Sequence, residues 1–118
     1  MKYLLWGLAL PLLMAGDCQH KKKSGTGNAD IPSCVQQLID EAKNADPPVT
    51  PVRVEEYEYR GKKAYLFTAP CCDLYNILYD ENCQRICAPS GGFTGGGDRQ
   101  CTDFDSTAKK IKLIWSAP

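Results

Sequence analysis

One histidine is present among 118 residues, and it stands at position 20, two residues past the first cysteine and ahead of any segment able to fold. A side chain there cannot be held against a substrate, so Ser-His and Cys-His nucleophilic mechanisms, which need an oriented imidazole, are excluded. Net charge is missing as well. The 14 basic residues balance 14 acidic ones, which leaves no field to steer the chain toward nucleic acid or another polyanion. No C-x-x-C pair occurs, and from Cys71 onward the cysteine spacings are one, eleven, four and fourteen. Such spacing suits neither a zinc site nor a low-pKa redox pair, so no metal and no cofactor are expected. Nor does any apolar run reach the roughly 20 residues that a membrane-spanning helix needs.

What is present starts with an export signal. Met1 and Lys2 are followed by the apolar stretch Tyr3 to Ala15, the length of a signal-peptide core. Met14-Ala15-Gly16-Asp17-Cys18 then resembles the lipobox of bacterial lipoproteins, which makes Cys18 the expected lipidation site and the membrane a partner through that anchor. Asp17 occupies a position where such signals carry a small residue, so simple secretion after cleavage following Ala15 or Gly16 is the alternative. Parity favours lipidation, because removing Cys18 from seven cysteines leaves an even six.

Residues 1–18 are thus read as the signal, 19–32 as a tether and 33–118 as one domain. The tether, QHKKKSGTGNADIP, is too polar to offset its own ordering entropy, and as a flexible coil of 14 residues it has an end-to-end distance of about 20 Å. Lys21, Lys22 and Lys23 would each add about 1 kcal/mol of attraction to an anionic lipid surface. The 86 residues that follow give a thin hydrophobic core, a size at which exported domains commonly add disulfides.

Within the domain, Ser33 and Gln36 have the spacing of a capping box, and Val35, Leu38, Ile39 and Ala42 repeat at helical intervals, predicting a helix over 34–44. Asp46-Pro47-Pro48 stops it. Segments 52–59 and 63–69 flank Arg60-Gly61 and predict a hairpin, and 74–79 with 84–88 predict a second around Asp80-Glu81-Asn82. In the first strand, Val52 and Val54 are out of phase with Tyr57 and Tyr59, which calls for a bulge near Glu55 and Glu56 or burial on both faces. A short helix over 103–109, capped by Thr102 or Asp103, and a closing strand over 111–115 complete the order. The expected class is α+β: one N-terminal helix packed on an antiparallel sheet of about four to five short strands, stapled by disulfides.

Cys34, Cys71, Cys72, Cys83, Cys87 and Cys101 are the expected disulfide cysteines. Six allow about fifteen connectivities, and excluding a vicinal Cys71–Cys72 bond leaves about twelve. In an extended strand neighbours point to opposite faces, so Cys71 and Cys72 should anchor different elements, and Cys34 should join one of them. That loop of about 38 residues would be worth roughly 4 kcal/mol. Asp73, Asp80, Glu81, Asp98, Asp103 and Asp105 have the chemistry for acid–base work or Ca²⁺ ligation, but no EF-hand spacing, and read mostly as solvated caps and turns.

The most unusual stretch is Ala88-Pro89-Ser90-Gly91-Gly92-Phe93-Thr94-Gly95-Gly96-Gly97-Asp98. It lacks the Lys-Ser or Lys-Thr ending of a phosphate loop, so it is not a nucleotide site. Ordered glycines at this density require left-handed turns or close backbone approach. Held between Cys87 and Cys101, the segment reads as a constrained structural loop or as a surface presented to a partner.

Tyr57 to Lys62, Cys71 to Asp73, Leu78 to Asp80, Ile86 to Asp98, Cys101 to Phe104 and Leu113 to Trp115 together resemble a family of small secreted or lipoprotein-like domains from Bacteroidetes. The resemblance implies a bacterial envelope location, facing the periplasm or the cell surface, and no assigned activity. The resulting expectation is a non-enzymatic, envelope-anchored lipoprotein domain with a binding or structural role toward protein or glycan, and no nucleic-acid partner. A small protein inhibitor or interaction module presenting the 88–100 loop is one alternative. A carboxylate-based glycan enzyme is the other.

Overall fold

The computed structural model describes residues 30–46, 51–71 and 73–118. The signal segment, Cys18, most of the tether, the Pro47-Pro48 stop and Cys72 lie outside the described residues. The order is α1 (Ser33–Asn44), β1 (Arg53–Tyr59), β2 (Lys62–Thr68), β3 (Tyr75–Asp80), β4 (Arg85–Gly91), α2 (Phe104–Thr107) and β5 (Lys109–Ser116). The strands form one sheet in the order β4-β3-β2-β1-β5, antiparallel at every pair. Helix α1 packs on one face, the expected α+β arrangement with five strands.

Helix α1 buries Val35, Ile39 and Ala42, spaced to lie along a single stripe. The capping box does not form: Ser33 is already helical, Pro32 occupies the cap position, and no side chain bonds the first turn. Pro32 supplies a carbonyl to the Gln36 amide at 3.0 Å, and the Gln36 side chain turns outward to Asp40 at 3.1 Å. Proline at the cap already has the extended backbone that the position requires, which leaves the serine hydroxyl without that task.

Of the two expected causes of the phase slip in β1, burial on both faces is the one that operates, and the bulges belong to its partner β5. The pairing of β1 with β2 is regular from Arg53↔Thr68 to Tyr59↔Lys62, but its pairing with β5 shifts register between Val54 and Glu55 and again between Glu56 and Tyr57. The additional residues sit on β5, at Ile114 and Ile111. Both faces of the sheet are covered. Val54, Tyr65 and Phe67 meet Val35 and Ile39 beneath α1, while Tyr59, Ala64, Leu66 and Leu78 meet Cys87, Cys101 and Phe104 on the other side.

Adjacent Glu55 and Glu56 are therefore buried on opposite faces, and each is met by two cations. Glu55 pairs with Arg53 at 3.3 Å and with Lys110, and Glu56 with Lys112 at 3.7 Å and Lys63 at 3.8 Å. A buried carboxylate without such partners would cost several kcal/mol, which gives the lysines of β5 a structural role beyond solubility. On an edge strand, lysines and bulges also discourage pairing with a second chain.

Two disulfides are seen among the described residues, Cys34–Cys83 and Cys87–Cys101, each with Cα atoms 6.1 Å apart. The expected bond from Cys34 to Cys71 or Cys72 is corrected: Cys34 meets the turn between β3 and β4. Asp80 shapes that turn by accepting the amides of Asn82 and Gln84 at 2.8 and 2.9 Å, and Cys83 takes a left-handed φ of 58° within it. The turn thereby lifts Cys83 to the helix face, while Cys87 faces the opposite side. Cys71 also forms a disulfide, and it lies in a bend between β2 and β3, outside both strands as their predicted bounds imply.

Candidate functional site

The Cys87–Cys101 bond closes the base of the glycine-rich segment. Pro89, Ser90 and Gly91 are not loop but the end of β4, and the Ser90 hydroxyl accepts a bond from the Asn76 side chain of β3 at 2.9 Å. The chain then reverses. Gly95 donates to Gly92 O at 3.0 Å, putting Phe93 and Thr94 at the corner, and Gly91 donates to Gly95 O at 3.1 Å. The return stroke runs along the outer edge of β4, with Gly97 N bonded to Gly91 O at 3.0 Å and Asp98 N to Ala88 O at 2.9 Å. The sheet edge that β4 would otherwise leave open is covered by its own loop.

Asp98 locks this stroke. One carboxylate oxygen accepts the Ala88 amide at 2.9 Å and the Arg85 guanidinium at 3.2 Å, and the other accepts the Gln100 amide at 3.0 Å. Burial pushes its carboxyl up, but the amides of Gln100 and Ala88 together with Arg85 outweigh this and hold it below the ordinary value of 3.8. A carboxylate whose folded pKa is depressed stabilises the fold fully above its unfolded value, and that support is lost as pH falls through the folded pKa. Asp98 should accordingly titrate below 3.8 by carboxyl-carbon NMR, with Arg85→Ala raising it. Asp98→Asn should weaken the loop already at neutral pH and remove the acid-dependent step in its amide exchange. An unshifted Asp98 titration would show that the lock is not electrostatic.

Above this base the tip is apolar. Phe93 is 92 % exposed, Tyr75 is 44 % exposed, and Leu74 lies beside them, its carbonyl accepting the Gly92 amide at 3.0 Å. Tyr75 lies against Gly92, where a Cβ would meet the ring at 2.5 Å, and Arg85 sits 5.9 Å from the ring centre. Tyr75 and Leu74 thus lie beside Gly92, the residue next to exposed Phe93, with Arg85 behind Tyr75. Tyr75 and Leu74 escaped the sequence reading as part of an ordinary strand. Their place follows from the register Tyr75↔Gly91, which puts the ring over glycines that cannot cover it.

The carboxylates do not gather. Asp103 accepts the Tyr59 hydroxyl at 2.5 Å and Arg60 at 3.1 Å, and these two contacts, the phenol first, hold its carboxyl below the usual range. It occupies the cap position of α2 without capping it, and α2 itself spans only Phe104–Thr107, shorter than expected. Ser106 and Thr107 instead bond the Asp103 carbonyl, at 3.0 and 2.7 Å. Asp98 is committed to the loop, and Trp115 lines a groove elsewhere that contains neither acids nor Tyr57 or Tyr59. Among the described residues, no set of three His, Cys, Asp or Glu side chains is placed to hold a metal ion. No helix among them is long and apolar enough to cross a membrane.

Residues 37–117 match the family described as Domain of unknown function (DUF6970), which spans most of α1, the whole sheet and the glycine-rich loop. The chain belongs to the DUF6970 family. It is an uncharacterised domain family, so membership brings the fold under a common heading without an activity attached. No curated protein and no solved structure matches the chain.

Proposed function

We propose that this DUF6970 chain is a non-catalytic recognition module of the bacterial cell envelope, lipid-anchored through Cys18, which meets a protein partner through the tip of its glycine-rich loop. The observation that carries the reading is Phe93, a large apolar side chain left 92 % exposed on a segment otherwise braced at every turn. Burying such a ring in a partner's pocket is worth about 1.5–3 kcal/mol. The bracing means that little ordering entropy opposes the contact. The chain joins the domain at Asp30, which pairs with Lys63 close to the Arg60-Gly61 turn, whereas Tyr75 and Phe93 stand toward the opposite end of the strands.

The test places a photo-crosslinking residue at Phe93 in living cells and, as a control, at exposed Ile111 on the far edge of the sheet. A discrete adduct at 93 and none at 111 is expected, together with palmitate-analogue labelling of the parent chain but not of Cys18→Ser. Phe93→Asp, which should shift stability by no more than about 0.5 kcal/mol at so exposed a position, should stop an untagged chain from competing for the adduct. Equal adducts at both sites, or undiminished competition by Phe93→Asp, would refute tip recognition. Absent labelling would refute the anchor. A hydrolase in the adduct would make the module an inhibitor.

A further inference from the structure

Helix α1 is seated on the sheet as a wedge. At its first turn the Cys34–Cys83 bond clamps it down, and along its buried stripe the side chains shrink from Val35 and Ile39, 0 % and 2 % exposed, to Ala42 at 8 %. Beneath the last turn the small side chains of Ala42 and Ala45 leave a groove of about 600 Å³, walled on the sheet side by Val52, Pro70 and Trp115. Ala117 and Pro118 complete the wall, and among the described lining residues Lys43 has the one charged side chain. Its pairing with Asp40, at 3.4 Å with both side chains about half exposed, is the kind of surface contact worth little.

We propose that this groove binds an amphiphilic alkyl carboxylate, with its chain between Ala42 and Trp115 and its carboxylate on the Lys43 ammonium. The volume falls within the roughly 300–1,000 Å³ of small-molecule sites. The chemistry of the walls narrows the class. A sugar would leave its hydroxyls unpaired against alanine, valine, proline and tryptophan, which is costly for buried polar groups. A phosphate dianion would find a single cation. One negative charge on an apolar body is what one lysine at the mouth of an apolar groove complements. This inference is independent of the loop-tip reading, since Phe93 lies outside the groove.

The experiment uses the full chain in phosphatidylcholine vesicles with a diazirine-bearing decanoate, followed by mass-spectrometric mapping. Saturable labelling of the peptide carrying Trp115 is expected. Decanoate should compete about tenfold better than decanol, the low end for a hydrogen bond to a charged group. Lys43→Gln should lose that preference and Lys43→Arg should keep it. Ala42→Leu, which fills the groove from the helix side, should abolish labelling without lowering the unfolding midpoint. Non-saturable labelling, equal competition by decanol, or unchanged labelling of a folded Ala42→Leu chain would each overturn the proposal. Partition into the lipid is common to all variants, so a difference between them reads the groove.

Discussion

Replacing Cys34 and Cys83 together by alanine is expected to lower folding stability by about 4 kcal/mol, measured by urea unfolding of the oxidised chain. The bond spans 49 positions, and opening a loop of that size restores to the unfolded chain an entropy worth about 4 kcal/mol at room temperature. For a domain whose whole stability should lie within about 5–15 kcal/mol, that is a large fraction of the total. The Cys87–Cys101 bond spans only 14 positions and should be worth about 3 kcal/mol. Packing argues that the larger value will be realised. Cys34 and Cys83 both pack against the core cluster of Val35, Ile39 and Tyr65, so the bond joins the start of the helix to the β3–β4 turn across that cluster. Without it, α1 is held by the short stripe Val35, Ile39 and Ala42, and its amide exchange should rise ahead of that of β1 and β2. A loss below about 2 kcal/mol would show that the reduced unfolded chain is already compact around this contact.

The elements themselves were largely legible in the sequence, because each rests on local chemistry. Arg60-Gly61 reads as a two-residue hairpin turn since both positions must adopt left-handed backbone, and they do, at φ 53° and 75°. Val35, Ile39 and Ala42 announce a helix through their spacing alone. What escaped depends on tertiary register. Cys34 finds Cys83 because Asp80 folds the β3–β4 turn back under the helix, a geometry that cysteine spacing does not encode. Ser33 has the form of a cap but is displaced inward by Pro32. Glu55 and Glu56 look like solvated charges until β5, which arrives from more than fifty positions downstream, supplies Lys110 and Lys112 from its bulged edge.

The candidate site shows the same division. Its glycine content predicted unusual backbone, yet nothing local says which glycines serve a turn and which serve close approach. That depends on where β4 lies when the return stroke meets it. Nor does the sequence reveal that Asp98, one acid among several, is the residue that ties Ala88, Arg85 and Gln100 together. Its distinction is entirely positional, since an aspartate one residue away on this stroke would point elsewhere and leave the Ala88 amide unmatched.

Gly97→Ala is expected to cost about 3 kcal/mol and to undo the loop, whereas Gly95→Ala should cost only about 1 kcal/mol. Both positions are left-handed, at φ +68° and +77°, and alanine there pays roughly 1–2 kcal/mol of local strain. The difference lies in what surrounds them. A Cβ at 95 meets nothing within 4 Å, but one at 97 would fall 2.0 Å from the Ala88 carbonyl oxygen and 2.8 Å from backbone atoms of Pro89 and Ser90. None of these atoms can swing aside as a side chain would, so the return stroke must lift away from β4. Lifting breaks the Asp98 N to Ala88 O bond and separates the Asp98 carboxylate from the Ala88 amide, at about 1 kcal/mol for each neutral bond and more for the charged one. Denaturant unfolding of the two variants, with amide exchange read at Gly97 and Asp98, measures the contrast. The functional consequence should follow the same line: Gly97→Ala should lose the photo-adduct formed at the Phe93 tip and Gly95→Ala should keep it, although both leave Phe93 itself in place. If the two variants proved alike in stability, exchange and adduct, the glycines would be serving chain flexibility only, and the tip would not be a braced surface.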